Sequence, residues 1–258
     1  MMPKVPWIGT SWKMNKLRAD AVEYANTLGT SPIAATESAQ PFVIPPFPYI
    51  AEVADILKKT RVRTGAQDMH WKDHGPWTGE VSAPMVKDCG ASIVELGHSE
   101  RRTFFNETDE TVALKVQTAL RHGLLALVCI GDTKAEYDAG QTATVLERQT
   151  RIALSRAGQA AQGKVIFAYE PVWSIGEGGV PADPEFANVQ HKRIKAVARQ
   201  LVGAELPVLY GGSVSRQNCC ELAHQSFVDG LFIGRAAWNA RGYIDIVEAV
   251  ISTLGESS

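Results

Sequence analysis

Three side chains in this sequence sit where the removal of a carbon-bound proton would need them. Glu170 ends an apolar run, Val165-Ile166-Phe167-Ala168-Tyr169, and opens a segment that reads as a hinged lid, Pro171-Val172-Trp173-Ser174-Ile175-Gly176-Glu177-Gly178-Gly179. A lone carboxylate at a strand end, followed by a glycine-rich flap, suits a base that works away from water. Proton abstraction beside a carbonyl gives a reactive enediol, which a lid must shield until the second proton transfer. Read alone, the same segment is also compatible with an ordinary surface loop. His98, in Gly97-His98-Ser99-Glu100-Arg101-Arg102, falls at what reads as a helix start, with Ser99 able to cap it. The positive end of the helix dipole disfavours an imidazolium there, and a neutral imidazole can still donate a hydrogen bond to a carbonyl. Lys13, in Ser11-Trp12-Lys13-Met14-Asn15, follows an apolar run directly and is placed to stabilise an enediolate and a phosphate. Singly, neither residue is diagnostic, since most histidines of this kind are structural and most lysines are solvated.

Three glycine-bearing segments offer backbone N–H groups to an anion: Gly176 in the lid, Gly212-Ser213, and Gly234-Arg235. Two other patterns carry less. His70 and His74 are spaced like ligands on a helix, but no third ligand is evident and Gly75-Pro76 follows, so no metal site is assigned. Gly176-x-Gly178 does not open a helix after a strand, which argues against a dinucleotide cofactor.

These residues need elements to position them. Eight short strand candidates run through the chain: Trp7–Thr10, Phe42–Ile44, Arg61–Gly65, Ser92–Leu96, Leu125–Ile130, Val165–Tyr169, Pro207–Tyr210 and Leu231–Ile233. Amphipathic stretches alternate with them. Asp109–His122 is the clearest, with Val112, Val116, Ala119 and Leu120 on one face and Gly123 as a stop. Asp183-Pro184-Glu185 reads as a helix start. Eight strands alternating with helices in 258 residues predict a single-domain (β/α)8 barrel spanning 1–258. Such a barrel carries its chemistry just after the strands, and Lys13, His98, Glu170, Ser213 and Gly234-Arg235 all fall there.

Composition sets the remaining bounds. With 45% hydrophobic and 21% charged residues the chain reads as globular, and a net charge of −2 argues against a nucleic-acid partner. No apolar run reaches bilayer length, and Met1-Met2-Pro3-Lys4-Val5-Pro6 lacks the apolar stretch of a signal peptide. Cys89, Cys129, Cys219 and Cys220 form no C-x-x-C pair, so a reducing cytoplasm is the simplest expectation.

With these residues in view, the chain resembles the triosephosphate isomerases along nearly its whole length. The blocks are Trp12-Lys13-Met14-Asn15, Gly97–Arg102, Ala168-Tyr169-Glu170-Pro171-Val172-Trp173, Tyr210–Val214 and Asp229-Gly230, in the family's order. The resemblance implies a TIM barrel in which Lys13 is the electrostatic lysine, His98 the electrophile and Glu170 the base. In that family the histidine acts as a neutral imidazole. Gly176, Ser213 and Gly234 carry over as phosphate ligands. No cofactor is implied, and a homodimer is, through the loop Gln67–Glu80 with Thr78 entering the neighbouring subunit. The departures are Ser11 for the family's Asn, Arg235 for a Gly, Asp68 for an Asn, Ala237-Trp238-Asn239, and Glu177-Gly178-Gly179 at the lid tip. Ser11 and Arg235 map to the site mouth and point to an altered phosphorylated sugar. The variant blocks resemble a sister branch, the tetrulose-phosphate isomerases of erythritol breakdown, which act on L-erythrulose 1-phosphate. The three-carbon activity of the parent family stays open on this reading, as does a catalytically silent barrel.

Overall fold

Eight parallel strands form at the eight expected places, with ends displaced by a residue or two. They are β1 (Trp7–Ser11), β2 (Gln40–Ile44), β3 (Arg63–Ala66), β4 (Ile93–Leu96), β5 (Leu125–Ile130), β6 (Val165–Tyr169), β7 (Val208–Tyr210) and β8 (Gly230–Ile233). Each pairs with the next, and β8 returns to β1 with Trp7 opposite Gly230, closing a (β/α)8 barrel. The computed structural model describes residues 5–176 and 178–255. Glu177 of the lid tip and the opening residues 1–4, both read above from sequence, lie outside them.

The helices are α1 (Arg18–Gly29), α2 (Ile50–Leu57), α3 (Ala83–Asp88), α4 (Ser99–Phe104) and α5 (Asp109–Arg121) in the first half. The second half adds α6 (Lys134–Asp138), α7 (Thr142–Leu154), α8 (Pro184–Val202), α9 (Cys219–Ala223) and α10 (Ala240–Gly255). Their ends follow local chemistry. The Asp183 carboxylate accepts the N–H groups of Glu185 and Phe186 at 2.9 and 3.0 Å, and Gly203, at φ 75°, ends α8. Gly123, at φ 72°, follows α5 as expected. The cap of α4 differs from expectation: it is His98 and not Ser99, with the ring accepting the Glu100 N–H. None of the helices among the described residues is long and apolar enough to cross a membrane.

The period of two along each strand sorts side chains into two cores. Ile8, Val43, Val94, Leu96 and Val128 face the helices. Phe42, Ile44, Ile93, Leu127, Cys129, Ile166, Leu209 and Phe232 fill the barrel. Phe42 and Phe232 stack with ring centres 5.9 Å apart. Gly9 is small because a Cβ there would lie 2.1 Å from the Phe42 ring. On β4 the inward parity of Ile93 also sends Glu95 into the barrel, where it is buried.

The loop after β3 is tied down by charge. Asp68 meets Lys115 of α5 at 2.6 Å and Arg101 of α4 at 2.8 Å, and Glu107 meets the same two cations at 3.0 and 2.9 Å. Asp68 therefore serves a buried ion-pair network and does not line the cavity. In the same loop His70 is sandwiched between Trp71 and Trp77, with centroids at 4.1 and 4.4 Å, and its Nδ1 accepts the Lys72 N–H. His70 is buried in that aromatic stack, whereas His74 is exposed.

Candidate active site

Ser11, Lys13, His98, Glu170, Gly176, Ser213, Gly234 and Arg235 all line one cavity of about 400 Å³ at the C-terminal ends of the strands. The eight positions read from sequence are thus brought together. They arrive from the ends of β1, β4, β6, β7 and β8 and from the lid.

Glu170 leaves β6 with its N–H donated to Ile130 on β5 at 2.8 Å. The residue is only 3% exposed, and two glycines make room for it. A Cβ on Gly211 would lie 2.7 Å from Glu170 Cγ, and one on Gly131 would lie 1.9 Å from the Glu170 carbonyl oxygen. Glu170 Oε2 is buried without a hydrogen-bond partner among the described residues and lies 3.7 Å from His98 Nε2. His98 Nδ1 accepts the backbone N–H of Glu100 at 3.1 Å. A nitrogen that accepts carries no proton, so in the neutral ring the proton sits on Nε2, the atom that faces Glu170. Capping the helix and fixing the tautomer are one act.

Lys13 adopts φ 53°, a left-handed conformation rare for a side-chain-bearing residue and typical of functional sites. Its carbonyl accepts Gln67 Nε2 at 2.9 Å, and its Nζ meets Glu100 Oε1 at 2.6 Å. Glu100 thus steers two groups, the histidine through its N–H and the lysine through its carboxylate.

The lid is pinned at both ends. The Trp173 indole donates to Asp132 at 3.4 Å, and the same carboxylate accepts Thr142 at 2.8 Å and Tyr169 at 3.1 Å. Ser174 is buried, with its Oγ accepting the Ser213 N–H at 3.2 Å and its carbonyl accepting the Ser213 hydroxyl at 2.5 Å. Farther along, the Ala182 N–H donates to the Tyr210 hydroxyl at 3.2 Å. Gly176 and Gly178, at φ 88° and 81°, supply the left-handed backbone between these anchors. Gly212 is required too, since a Cβ there would lie 2.3 Å from the Tyr210 oxygen. At Gly234, by contrast, a Cβ would meet nothing within 4 Å, because that backbone borders the open cavity. Arg235 is exposed at the rim.

Two cavity neighbours escaped the sequence reading as site residues. Trp238 lines the cavity, and its indole donates to the Ser11 carbonyl at 3.0 Å, joining the end of β1 to the loop after β8. Glu95 lies inside the barrel, with a carboxyl oxygen within 4.8 Å of a His98 ring nitrogen and a Glu170 carboxyl oxygen. Burial pushes its carboxyl up to about 7; Glu170 adds to that, while His98, Ser11 and Lys13 oppose it. Its signal in the sequence was an acid in an otherwise apolar strand, at inward parity.

A cavity holding a buried carboxylate, a neutral histidine with its N–H turned inward and a lysine can move protons between adjacent carbons of a carbonyl compound. Comparison with known proteins agrees with that chemistry. A curated protein of Brucella abortus named L-erythrulose-1-phosphate isomerase is 52% identical over 242 residues, covering 93% of this chain and 94% of its own length. One of the same name from Mesorhizobium japonicum is 52% identical over 247 residues, covering 95% and 97%. Another, from Rhizobium meliloti, is 51% identical over 245 residues, covering 95% and 96%. The family model described as triosephosphate isomerase matches residues 6–250, and the chain belongs to the triosephosphate isomerase family.

Proposed function

We propose that this chain is an isomerase interconverting L-erythrulose 1-phosphate and D-erythrulose 4-phosphate. The observation that carries the chemistry is the facing pair of a buried Glu170 carboxylate and the Nε2–H of His98, 3.7 Å apart under a latched lid. The substrate rests on the curated relatives of that name and on Ser11 at the cavity wall.

L-Erythrulose 1-phosphate is dihydroxyacetone phosphate with a hydroxymethyl group on the carbon that loses its proton. In this reading Glu170 takes the proton from C3, leaving an enediolate across C2 and C3. His98 donates from Nε2 to the enediolate oxygens, and Lys13 offsets their negative charge. Glu170, now protonated, returns a proton to C2, and the carbonyl has moved to C3. Substrate and product are isomers, so proton transfers alone balance the reaction and no oxidant or cofactor enters. The phosphate would lie against the N–H groups of Gly176 and Gly234, and against that of Ser213 once it exchanges Ser174 Oγ for the phosphate.

The deciding experiment is turnover of the purified protein on L-erythrulose 1-phosphate and on glyceraldehyde 3-phosphate, measured side by side. Preference for the first supports the reading; turnover of the second alone returns the chain to the three-carbon activity of its family.

The reading also includes a cytoplasmic homodimer. Support comes from the loop 67–80 and its surroundings, where Met14, Trp77, Met85, Phe104 and Phe105 expose 97%, 43%, 55%, 71% and 65% of their surface. Large exposed apolar groups of this kind mark protein interfaces. Light scattering on the purified protein checks it, with a mass near twice 28.0 kDa expected.

A further inference from the structure

Glu95, a buried carboxyl of the barrel interior, has no task in the mechanism above. Glu95 stands on β4 between Val94 and Leu96, both of which face the helices, so its own side chain points into the barrel beneath the site. It is 3% exposed, and its Oε2 is buried without a hydrogen-bond partner among the described residues. Folded proteins pair nearly all such oxygens, and an unpaired one next to reacting groups is a position that a donor could fill. Ser11 is the hydroxyl beside it, Cys129 of β5 shares its surroundings, and His98, Glu170 and Lys13 are the charged or titratable groups that feel it.

We propose that Glu95 is a specificity-determining residue which, with Ser11, receives the terminal hydroxyl of a four-carbon substrate. The proposal rests on the erythrulose-phosphate reading and adds to it the group that tells four carbons from three. The geometry is restrictive. The carbon that loses its proton must sit against the Glu170 carboxylate, at roughly 3–3.5 Å for reaction. A Glu95 oxygen lies within 4.8 Å of both Glu170 and His98. The extra hydroxymethyl is attached to that same carbon, so its hydroxyl is one carbon away from the reacting centre and on the scale of this gap. Ser11 lines the cavity and is the hydroxyl next to Glu95, so a hydroxymethyl reaching Glu95 would pass beside it. A Glu95 carboxyl near neutrality accepts a hydroxyl hydrogen bond in either protonation state. A three-carbon substrate has no such group and leaves the oxygen unpaired, which is how a site built around a hydroxyl discriminates against the analogue lacking it.

The test compares L-erythrulose 1-phosphate, its 4-deoxy analogue and dihydroxyacetone phosphate in the wild type and in Glu95→Leu and Glu95→Gln. The 4-deoxy compound keeps the carbon skeleton and loses only the terminal hydroxyl. The wild type is expected to favour the hydroxylated over the deoxy substrate on the order of a hundredfold in kcat/KM. In Glu95→Leu that preference is expected to collapse towards unity, with the hydroxylated substrate losing more than either the deoxy analogue or dihydroxyacetone phosphate. Glu95→Gln, which keeps an acceptor, retains part of the preference. Equal turnover of the hydroxylated and deoxy substrates by the wild type would overturn the proposal even if no variant folds. An equal loss on all three substrates in Glu95→Leu would also overturn it, making Glu95 a general support of the site. Failure of the wild type to turn over L-erythrulose 1-phosphate at all is a different result and sinks the functional reading itself.

Discussion

At the scale of single residues, each group of the site is fixed by its immediate neighbours. His98 spends Nδ1 on the Glu100 N–H and so presents Nε2–H to the cavity. Lys13 is held by Glu100 in a backbone conformation that costs on the order of 1–3 kcal/mol, offset by the Gln67 bond to its carbonyl. Glu170 is buried beside a glycine that no other residue could replace without displacing it. Changing Glu170 to Gln keeps the shape and hydrogen-bonding reach but removes the site for the proton. It should lower kcat by roughly a thousandfold or more with KM little changed, measured by steady-state kinetics. A variant that kept a tenth of wild-type turnover would remove Glu170 from the role of base. Ser11 is tested in the other direction. Ser11→Asn should crowd the hydroxymethyl group and lower the kcat/KM ratio of L-erythrulose 1-phosphate over dihydroxyacetone phosphate by roughly 10- to 200-fold. An unchanged ratio would show that Ser11 does not limit substrate size.

At the scale of elements, the strands deliver these residues and the lid encloses them. Tyr210, the last residue of β7, accepts from the Ala182 N–H and faces Ser174 Oγ at 3.4 Å, so one hydroxyl latches both arms of the lid. Tyr210→Phe removes that latch without opening a cavity. At about 0.5–1.5 kcal/mol for a neutral hydrogen bond, kcat/KM should fall roughly two- to twelvefold, and the lid should become more open to proteolysis. Unaltered kinetics would show that the Ser174–Ser213 and Trp173–Asp132 bonds suffice to hold the lid. The strands were legible because parallel strands covered on both faces read as apolar runs, and the register then placed Lys13, His98 and Glu170 at one end. What escaped was what the one-dimensional pattern does not hold. An acid in Ile93-Val94-Glu95-Leu96 declares its inward parity only once the strand ends are fixed. Ser99 was a reasonable cap by type, yet the His98 ring, one residue earlier, reaches the Glu100 N–H instead. Asp68 read only as a departure from the family's Asn; the partners that make it structural, Lys115 and Arg101, are far along the chain.

At the scale of the whole molecule, stability and pH are linked through groups that burial holds in one protonation state. His191 of α8 lies between the rings of Tyr169 and Tyr210, 6.0 and 6.4 Å away, and is fully buried. Burial pushes its pKa down to about 3 from an ordinary 6.5; nearby Lys195 acts the same way and Asp229 opposes. Between those two values the unfolded chain takes up a proton that the folded chain refuses. Stability therefore rises with pH across this window and is lost as pH falls from about 6.5, by at most about 1.4 kcal/mol per pH unit for one proton. Glu95 has the opposite sign. Its folded pKa of about 7 lies above the ordinary 4.5, so between those values the folded state holds the extra proton. Its contribution is full below 4.5 and lost as pH rises through 7. From about 4.5 to 6.5 the two slopes oppose each other, and the wild type should lose little stability there on their account. His191→Phe, which keeps a ring of similar size, should remove one slope and make the protein gain stability, relative to wild type, as pH falls from 6.5. Glu95→Leu should do the reverse and steepen the acid loss. Urea unfolding at fixed protein concentration, at pH 7, 6 and 5, measures both. If the two variants tracked the wild type in parallel across this range, neither group would be held in its buried, neutral form, and the electrostatic account of the barrel interior would fail with them.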